Sequence, residues 1–568
     1  MPRSPVAPDP ARESFWRRFG FDPLTLASGI LIVAAFPPWG NYPVIWIALV
    51  PWLRALSRKK TARAAIGEGI WLSVFMSLFG FYWVAYALNH YGPLPWPIAI
   101  VGLALYSLIG QPQFYVWAPL AAYFLRKPEP RGRRLWVYSG LALAYTGIDW
   151  LTPKLFVDTL GHAFYRSESY RQLAELGGAT LLTFLVLWVA LWIYDATQFK
   201  RRESLAVAGA ILVLAGGYGA YRNIEVQTWM RGSTGAGALS PRSGPASATG
   251  QNSSGTAYPS AHFGLIQANI GDFDKVAAET GIAEASTKVI RTFLTMSDQA
   301  LSVTPRPDFI VWPETAYPST FHASQSPVDV ARDQLLIDFA RSRKISLLFG
   351  GYDHKDGKDF NGFFFLSPDH QPDLQSYQKH ILLLFGEYIP LMDQIPWLMR
   401  MFPQIGNFGR GPGPMAVEVP TVRADIPSVK IGPSICYEAL FAADGIGAVR
   451  KGAQVLLNIT NDSWFGPRAE PELHLSLTTF RSIETRVPLL RSTNTGYSAL
   501  ILPDGSMIKQ SALWESQVLN WDVPIYPPRQ TLMLMWGDWF GWFAAAMGSV
   551  MLGLLERKRR QAERVDRN

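Results

Sequence analysis

Cys436 is the single cysteine in 568 residues, and it ends an apolar run over 429–436 that has the composition of a strand. A strand that stops on a thiol at a turn presents the sulfur at the edge of a sheet. One cysteine cannot form an internal disulfide. A small buried hydrophobic residue is the structural alternative for a lone cysteine, but two other segments supply the partners that a thiol nucleophile needs.

These partners are Glu314, which follows the apolar run 309–313, and Lys379 in the polar segment 377–380. Taken alone, either could be a solvated side chain in a loop. A thiol with a pKa of about 8.5 is mostly protonated at neutral pH, so a neighbouring base has to take its proton. A carboxylate can do this, and a fixed cation beside a backbone N–H, such as that of Tyr437, can stabilise an oxyanion. The set therefore predicts attack by Cys436 on an acyl carbon.

The composition indicates a membrane protein. Hydrophobic residues make up 49% of the chain, charged residues only 17%, and there are 21 Trp, which is too apolar for an ordinary soluble protein. The net charge of +8 is held in short basic clusters between apolar runs and not in one patch. This distribution argues against a nucleic-acid partner and is typical of cytoplasmic loops.

Eight apolar runs predict about eight transmembrane helices, near 24–38, 42–56, 66–88, 96–125, 135–151, 175–195, 204–221 and 537–555. Basic clusters lie at the N-terminus and after every second run, at 54–63, 126–134, 200–202 and 557–567. By the positive-inside rule both termini are cytoplasmic and 222–535 lies outside the cytoplasm. No cleavable signal peptide is evident, so the first run is the first helix. The alternative is that some runs are buried helices of a soluble protein.

The predicted organisation has five parts. Residues 1–221 form an N-terminal membrane domain of about seven helices, and 222–260 form a flexible linker rich in Gly, Ser and Ala. A soluble domain occupies 261–530, a C-terminal transmembrane helix 535–556 and a basic cytoplasmic tail 557–568. In the soluble domain, short apolar strands alternate with helices, which predicts an α/β sandwich with helix-covered sheets. The predicted strands are 262–267, 308–311, 346–350, 361–366, 429–436, 455–459, 489–493 and 498–502, and the predicted helices are 283–301, 328–342, 439–451 and 472–485.

Several ordered motifs resemble those of known enzymes. The segments 312–315 (WPET), Lys379 ahead of 385–388 (FGEY), and 435–438 (ICYE) resemble the nitrilase superfamily. Together with the membrane half and the motifs at 35–40, 172–178, 461–466 and 491–496, nearly the whole chain resembles the apolipoprotein N-acyltransferases, which N-acylate bacterial lipoproteins. The resemblance implies a periplasmic nitrilase-like αββα sandwich attached to an α-helical transmembrane bundle, in the bacterial inner membrane.

The resemblance also implies roles for individual residues. Cys436 would be the nucleophile, Glu314 the general base and Lys379 the oxyanion-stabilising cation. The supporting and substrate-binding residues would be Glu387, Tyr388, Tyr437, Glu438 and Trp464, with Trp464 on a loop near the mouth of the pocket.

The implied reaction is a ping-pong transfer. A phospholipid would donate an acyl chain to Cys436 as a thioester, and the α-amine of the N-terminal diacylglyceryl-cysteine of a lipoprotein would accept it. We expect a monomer that needs no cofactor, binds no metal and has no nucleic-acid partner, because the sequence has no metal-ligand cluster and no phosphate-binding glycine loop.

The segment 388–408 follows the predicted catalytic region directly and contains three prolines, which excludes a long straight helix. It also carries an apolar cluster that would favour aggregation on a soluble enzyme: Trp397, Leu398, Met399, Met401 and Phe402. Beside a bilayer such a segment can lie in the interface with Trp at the headgroup level. We therefore predict a membrane-dipping arm over the active site. The alternative is a hydrophobic plug packed within the protein.

Two other functions fit parts of the sequence. A membrane-anchored nitrilase-type amidase or hydrolase would use water in place of the amine, and only the arm and the family motifs argue against it. A catalytically inactive transport or binding protein is the third possibility. The presence of Glu314, Lys379 and Cys436 together argues against that one, as does the scarcity of ionisable residues within the apolar runs.

Overall fold

The computed structural model describes residues 21–90, 92, 94–232, 258–271, 283–322, 327–369, 376–384, 386–389, 408–466 and 469–565. These residues divide into two compact units. The first comprises the described residues of Met1–Tyr218, Arg468–Leu477 and Asp538–Asn568, and the second those of Gly219–Pro467 and Thr478–Gly537.

The first unit is helical. Its helices in chain order are α1 (Pro23–Ala35), α2 (Ile45–Ala48), α3 (Val50–Ser57), α4 (Ala62–Gly80), α5 (Trp83–His90), α6 (Trp96–Ile109), α7 (Pro112–Leu125), α8 (Arg131–Leu151), α9 (Ala174–Phe199) and the first part of α10 (Arg202–Arg231). The chain breaks helical geometry inside α9 at Gly177 and Gly178, and Gly178 has a φ of 65°, which glycine adopts without a steric penalty.

Five segments of the described chain are long and apolar enough to cross a membrane: Ala62–Gly80, Trp96–Leu125, Tyr170–Phe199, Arg202–Arg231 and Trp539–Gln561. Pro23–Ala35 and Tyr42–Ser57 are shorter apolar helices. Large apolar side chains on α10 are exposed, with Val213 and Leu214 each 73% exposed. Side chains of this kind on a water-facing surface would be unfavourable, which supports contact with lipid.

Two predicted boundaries are wrong. The predicted run 66–88 is two helices, because α4 ends at Gly80 and α5 begins at Trp83. The predicted linker begins at 222, but α10 continues to Arg231, because Val226 and Met230 are buried against Tyr526. The rest of the predicted linker, over 233–257, lies outside the described residues.

The second unit contains two six-stranded sheets. Its strands are β1 (Ser260–Gln267), β2 (Phe309–Val311), β3 (Ser346–Lys355), β4 (Lys358–Leu366), β5 (Ser376–Gln378), β6 (Val417–Pro420), β7 (Ser428–Ile435), β8 (Val455–Thr460), β9 (Leu489–Thr493), β10 (Ala499–Ile501), β11 (Met507–Gln510) and β12 (Gln517–Pro524). One sheet has the order β12-β1-β2-β3-β4-β5 and the other β11-β10-β9-β8-β7-β6. The central strands β1, β2 and β3 are parallel, as are β7, β8 and β9.

The core explains why the sheets face each other. Phe263 and Leu265 of β1 pack in one buried cluster with Ile431 of β7 and Leu457 of β8. Ile266, on the opposite face of β1, packs in a separate cluster with residues of two helices. Because side chains alternate across a strand, the inner faces form the core between the sheets and the outer face of the first sheet is covered by helices.

The remaining helices, in chain order, are α11 (Ala283–Leu301), α12 (Pro327–Arg343), α13 (Ala442–Arg450), α14 (Ala469–Thr485), α15 (Leu532–Trp536) and α16 (Trp539–Val565). Helices α11 and α12 supply the second cluster, and α13 packs against β7 of the other sheet. The fold is therefore an α/β sandwich with two sheets, joined in the same chain to an apolar helical region.

Candidate active site

Cys436 follows β7 directly and opens a short 3-10 turn, Cys436–Leu440. Its φ is 52°, in the left-handed region that residues other than glycine seldom adopt. Neighbouring groups hold this backbone in place. Ile435 N–H donates to Glu438 Oε2 at 2.8 Å, and Asn458 Nδ2 lies 3.3 Å from the carbonyl oxygen of Cys436. A strained residue that its surroundings fix in this way is typical of a functional site.

Glu314 lies just beyond the end of β2 and is 7% exposed. Each of its carboxylate oxygens accepts a hydrogen bond. Asn361 Nδ2 donates to Oε1 at 2.8 Å, and the backbone N–H of Asn461, directly after β8, donates to Oε2 at 3.0 Å. The carboxylate is therefore fixed from both sheets.

Lys379 lies directly after β5 and is 1% exposed. Its Nζ donates to Glu387 Oε1 at 2.8 Å and lies 3.5 Å from Glu314 Oε1. Burial acts to lower the pKa of this ammonium, but the carboxylates of Glu387 and Glu314 outweigh burial, so that the pKa of Lys379 is raised. The side chain therefore carries a fixed positive charge.

The thiol of Cys436 lies within the electrostatic field of both groups. Burial is the largest effect and raises the pKa of the thiol, and the carboxylate of Glu314 raises it further. The Lys379 ammonium and a hydrogen bond with Thr460 act in the opposite direction but do not cancel the rise. The structure thus brings together the three residues that the sequence predicted as a set, with the sulfur protonated at neutral pH.

The supporting residues Glu387 and Tyr388 lie in the loop after Lys379. Glu387 Oε1 accepts from Lys379 and, at 3.1 Å, from Asn361 Nδ2, while its Oε2 accepts from the N–H of Leu383 at 2.8 Å. The ring of Tyr388 lies 4.8 Å below the guanidinium of Arg410. Glu387 therefore positions Lys379, and Tyr388 contacts the segment that follows the predicted arm.

Glu438 is fully buried and joins the turn after Cys436 to the loop after Lys379. Its Oε1 accepts from the N–H groups of His380 at 2.7 Å and Ile381 at 3.1 Å. Its Oε2 accepts from the hydroxyl of Tyr377 at 2.8 Å and from Ile435 N–H. Glu438 therefore holds the turn after Cys436 and the loop after Lys379 in register.

Tyr437 and Trp464 differ in their surroundings. Tyr437 is 8% exposed, and its ring packs edge-on against Phe441 with centroids 5.1 Å apart. Its backbone N–H is the group predicted to bind the oxyanion. Trp464 lies in the turn Asp462–Phe465 and is 43% exposed. The five apolar residues of the predicted arm lie outside the described residues.

Sequence reasoning missed several polar residues that hold the site. Arg491 of β9 is fully buried, and its guanidinium donates to both carboxylate oxygens of Asp462, at 3.0 and 2.9 Å, and to Asn458 Oδ1 at 2.8 Å. Asn458 in turn contacts the carbonyl of Cys436. The motifs at 461–466 and 491–496 contained Asp462 and Arg491 but gave no role for them. Asn361 lies directly before the apolar end of β4, residues 362–366, and a polar side chain at the start of that run was the one signal in the sequence.

Two facing sheets with parallel central strands, and a carboxylate, an ammonium and a thiol at their strand ends, define a class of protein with a carbon-nitrogen hydrolase domain. Residues 264–525 match the carbon-nitrogen hydrolase family. A solved amidase from Nesterenkonia sp. is similar over 46% of this chain and 90% of its own, with a TM-score of 0.32 and 18% sequence identity.

The helical half of the chain identifies the family within this class. Residues 28–218 match the apolipoprotein N-acyltransferase N-terminal domain. The apolipoprotein N-acyltransferase of Bdellovibrio bacteriovorus is 30% identical over 90% of this chain and 90% of its own length, and that of Geobacter metallireducens is 28% identical over 94% and 95%. The chain belongs to the apolipoprotein N-acyltransferase family and is an acyltransferase with a nitrilase-like domain and membrane helices.

Proposed function

We propose that the protein transfers an acyl chain from a phospholipid, through a thioester on Cys436, to the α-amine of the N-terminal diacylglyceryl-cysteine of a lipoprotein. The observation that carries the proposal is the placement of Glu314, Lys379 and Cys436 at three strand ends, with Lys379 Nζ 3.5 Å from Glu314 and the thiol in the field of both. A carboxylate, an ammonium and a thiol in this arrangement are suited to acyl transfer.

The first half of the reaction forms the thioester. Cys436 Sγ attacks the ester carbonyl carbon of the phospholipid while its proton passes to Glu314. The oxyanion is stabilised by Lys379 and the N–H of Tyr437, and each donor of this kind contributes on the order of 3 kcal/mol. The ester C–O bond then breaks, the proton moves from Glu314 to the leaving glycerol oxygen, and a lysophospholipid departs.

The second half forms the amide. The acceptor amine attacks the thioester carbon, and its proton passes to Glu314. The S–C bond breaks, and the thiolate takes the proton back from Glu314. Because one chain contains every group that the cycle uses, the proposal needs no second copy of the protein and no cofactor. Since both substrates use one site in turn, the kinetics should be ping-pong.

We propose that the chain crosses the bacterial inner membrane about eight times, with both termini cytoplasmic and the catalytic domain over 261–530 in the periplasm. The alternation of basic clusters with apolar runs supports this topology. The predicted arm would place the pocket at the lipid surface, where positioning by the membrane raises the effective concentration of the donor.

Contacts at both ends of the arm support its role. Tyr388 lies against Arg410, and Phe408 stacks on Tyr352 with ring centroids 5.8 Å apart and an interplanar angle of 3°. The N–H of Gly411 donates to the backbone oxygen of Lys379 at 2.9 Å. Both ends of the arm are thus fixed next to Lys379. A movement of the arm would therefore shift residues that contact the active site.

The experiment that tests the proposal is mass spectrometry of the purified protein after incubation with phospholipid and a diacylglyceryl lipopeptide. We expect an acyl adduct on Cys436 with phospholipid alone, its loss when lipopeptide is added, and an N-acylated lipopeptide as product. The Cys436→Ala variant should give neither. Free fatty acid as the sole product would establish a hydrolase, and the absence of any adduct would contradict the nucleophilic role of Cys436.

A further inference from the structure

The histidine directly after Lys379 has no role in the proposed acyl-transfer cycle. Its ring is largely buried, with 17% of the His380 side chain exposed, and it lies between two buried carboxyl groups. His380 Nδ1 is 2.9 Å from Glu438 Oε1, and Nε2 is 3.6 Å from Asp444 Oδ1, which is an ion-pair distance and too long for a hydrogen bond. The ring therefore joins the loop after Lys379 to the turn after Cys436 and to α13.

The neighbours of Nδ1 determine which ring nitrogen carries a hydrogen. The Tyr377 hydroxyl donates to Glu438 Oε2 at 2.8 Å, so its oxygen can only accept from His380 Nδ1, which is 3.0 Å away. Burial and the carboxylate of Glu438 raise the pKa of Tyr377 well above its usual value, so the hydroxyl keeps its proton. Glu438 Oε1 is an acceptor as well. Nδ1 therefore carries a hydrogen, and the neutral ring has a lone pair on Nε2.

The lone pair on Nε2 faces an oxygen that also needs a hydrogen. Asp444 is 3% exposed, and its Oδ1 accepts no hydrogen bond from the part of the chain that the structure describes. An ionised Asp444 opposite a neutral His380 would leave two buried acceptors facing each other, which is unfavourable. A proton on either atom removes this conflict, as an imidazolium beside a carboxylate or as a carboxylic acid beside a neutral ring. The geometry thus favours one proton on the pair.

The charged groups around the pair favour the same proton. Glu438 faces the ring from its own short turn, and Arg481 acts on Asp444 from α14. The guanidinium of Arg481 donates to the backbone oxygen of Leu440 at 2.6 Å and to Glu484 Oε1 at 2.9 Å. Burial is the largest effect on Asp444, the carboxylate of Glu438 adds to it, and Arg481 offsets them only in part, so that the pKa of Asp444 is raised well above its usual range. The proton is therefore kept at neutral pH and lost as the pH rises.

We propose that His380 and Asp444 share one proton and that this proton positions Lys379. The backbone N–H of His380 donates to Glu438 Oε1 at 2.7 Å, and that of Lys379 donates to the backbone oxygen of Asn361 at 2.9 Å. The backbone of the lysine is thus held between β4 and the turn that contains Glu438. Without the shared proton, two buried carboxylates lie on either side of a neutral ring, and their repulsion displaces the ring and the lysine beside it. His380 and Asp444 are positioning residues.

The rate at which a water-soluble short-chain ester acylates Cys436 tests the inference, on the full-length protein in detergent over about pH 5 to 10. We expect the wild-type rate to fall above neutral pH. The pKa values of Lys379 and Cys436 are both raised, so the fall belongs to neither. Asp444→Asn offers an uncharged N–H to Nε2, so it should stay within about twofold of wild type at neutral pH and lose the alkaline fall. Asp444→Ala offers no hydrogen and should be about tenfold slower at every pH.

His354→Gln is the matched control, because His354 Nδ1 lies 2.7 Å from Asp359 Oδ1 in an exposed pair of the same kind. It should leave the rate and its pH profile unchanged. The inference is overturned if the wild-type rate shows no alkaline fall, if the fall persists in Asp444→Asn, if Asp444→Asn is as slow as Asp444→Ala, or if His354→Gln changes the profile in the same way. Should Asp444→Ala fail to fold, the pH profile of Asp444→Asn decides alone.

The inference rests on the proposed function for this assay, but alkylation of Cys436 by iodoacetamide needs no acyl chemistry. Lys379 lowers the thiol pKa, so its displacement should hold alkylation below the roughly tenfold rise per pH unit of a single ionising thiol. The wild-type protein should break from this slope above neutral pH, and Asp444→Asn should not. Such a break without a phospholipid adduct on the thiol would refute the transfer chemistry alone. An adduct without a break would refute the shared proton alone.

Discussion

Cys436 is a neutral thiol in the resting site. Its pKa is raised by burial and by the carboxylate of Glu314, and Lys379 offsets only part of this rise. The thiolate is the reactive form toward oxidants and electrophiles. In the proposed cycle the thiolate forms only while its proton moves to Glu314, which protects the sulfur of Cys436 from oxidants between turnovers. In an oxidising compartment such as the proposed periplasm this protection has a clear benefit.

The charges around the sulfur predict opposite shifts in two variants. Glu314→Gln removes a negative charge that raises the thiol pKa, so the pKa should fall. Lys379→Met removes a positive charge that lowers it, so the pKa should rise further. The rate of alkylation by iodoacetamide, measured against pH, reports the thiolate fraction. We expect its midpoint to move to lower pH in Glu314→Gln and to higher pH in Lys379→Met, while both variants lose acyl transfer.

Because the chain has one cysteine, all of the label reports on Cys436, and Cys436→Ala should remain unlabelled. Shifts in the same direction for both variants would contradict the assigned electrostatics. Full acyl transfer in Glu314→Gln would show that another group takes the thiol proton.

The site is assembled from residues that follow four strands, two in each sheet. Glu314 follows β2, Lys379 follows β5, Cys436 follows β7 and Asn461 follows β8. Each strand fixes the point at which the chain turns, so the positions of the side chains depend on strand packing more than on local loop structure. Substitutions that move a strand should therefore affect catalysis without touching a catalytic side chain.

Gly350 and Gly351 of β3 allow a direct test. A Cβ at Gly350 would lie 2.7 Å from the Cα of Glu314 and from its flanking backbone atoms, whereas a Cβ at Gly351 meets atoms of Tyr317 at 3.2 Å or more. We expect Gly350→Ala to displace the carboxylate and to lower kcat by about two orders of magnitude. Gly351→Ala is the matched control and should lower kcat by roughly threefold at most. Steady-state transfer assays on both variants check this, and equal losses would contradict it.

Most strands could be predicted from the sequence because their apolar runs are nearly continuous, and this holds even for β2 and β10, which have three residues each. Strands β5, β6 and β11 are as short or only one residue longer, but they mix polar with apolar side chains, so they carry too little pattern to be recognised. Strand β12 was also missed. It is an eight-residue strand whose polar residues Asn520 and Asp522 interrupt the run, and it is specified by antiparallel pairing with β1.

The three residues that we propose to react could be predicted as a set because the side chains of cysteine, lysine and glutamate have characteristic chemistry. The residues that hold them could not, since their roles depend on register between strands. Asn361 reaches both Glu314 and Glu387 only because β4 pairs with β5 and places its amide between them. Arg491 reaches Asn458 because β9 lies beside β8, where the two residues are partners in the ladder.

The buried pair of Arg491 and Asp462 predicts a large effect on stability. Arg491→Met leaves the Asp462 carboxylate buried without its counter-charge, which typically costs about 3–5 kcal/mol. We expect a marked drop in the thermal unfolding temperature of the detergent-purified protein. Arg341→Met changes an exposed arginine of α12 and is the control, with an expected change below about 0.5 kcal/mol. A similar unfolding temperature for Arg491→Met and wild type would show that the pair contributes little.

The whole chain joins apolar helices to a domain whose reaction requires a lipid ester. A soluble enzyme of this class receives its substrate from water, but a diacyl phospholipid stays in the bilayer. The predicted arm over 388–408 would give the active site access to this lipid. Its apolar cluster can enter the membrane interface, while its described ends are fixed beside Lys379. The arm should therefore matter for lipid delivery and not for the chemistry that follows.

Placing charge on the arm should separate these two steps. The double variant Trp397→Glu/Leu398→Glu should transfer acyl chains from phospholipid vesicles at least about tenfold more slowly, since a charge in the interface opposes insertion. It should still form the Cys436 adduct from a water-soluble short-chain ester at close to the wild-type rate. Val328→Glu/Val330→Glu places the same charges on exposed apolar residues of α12 and should leave both rates unchanged. If the arm variant loses both activities together, or melts at a lower temperature than the control, the segment is a plug in the fold and not a lipid-facing arm.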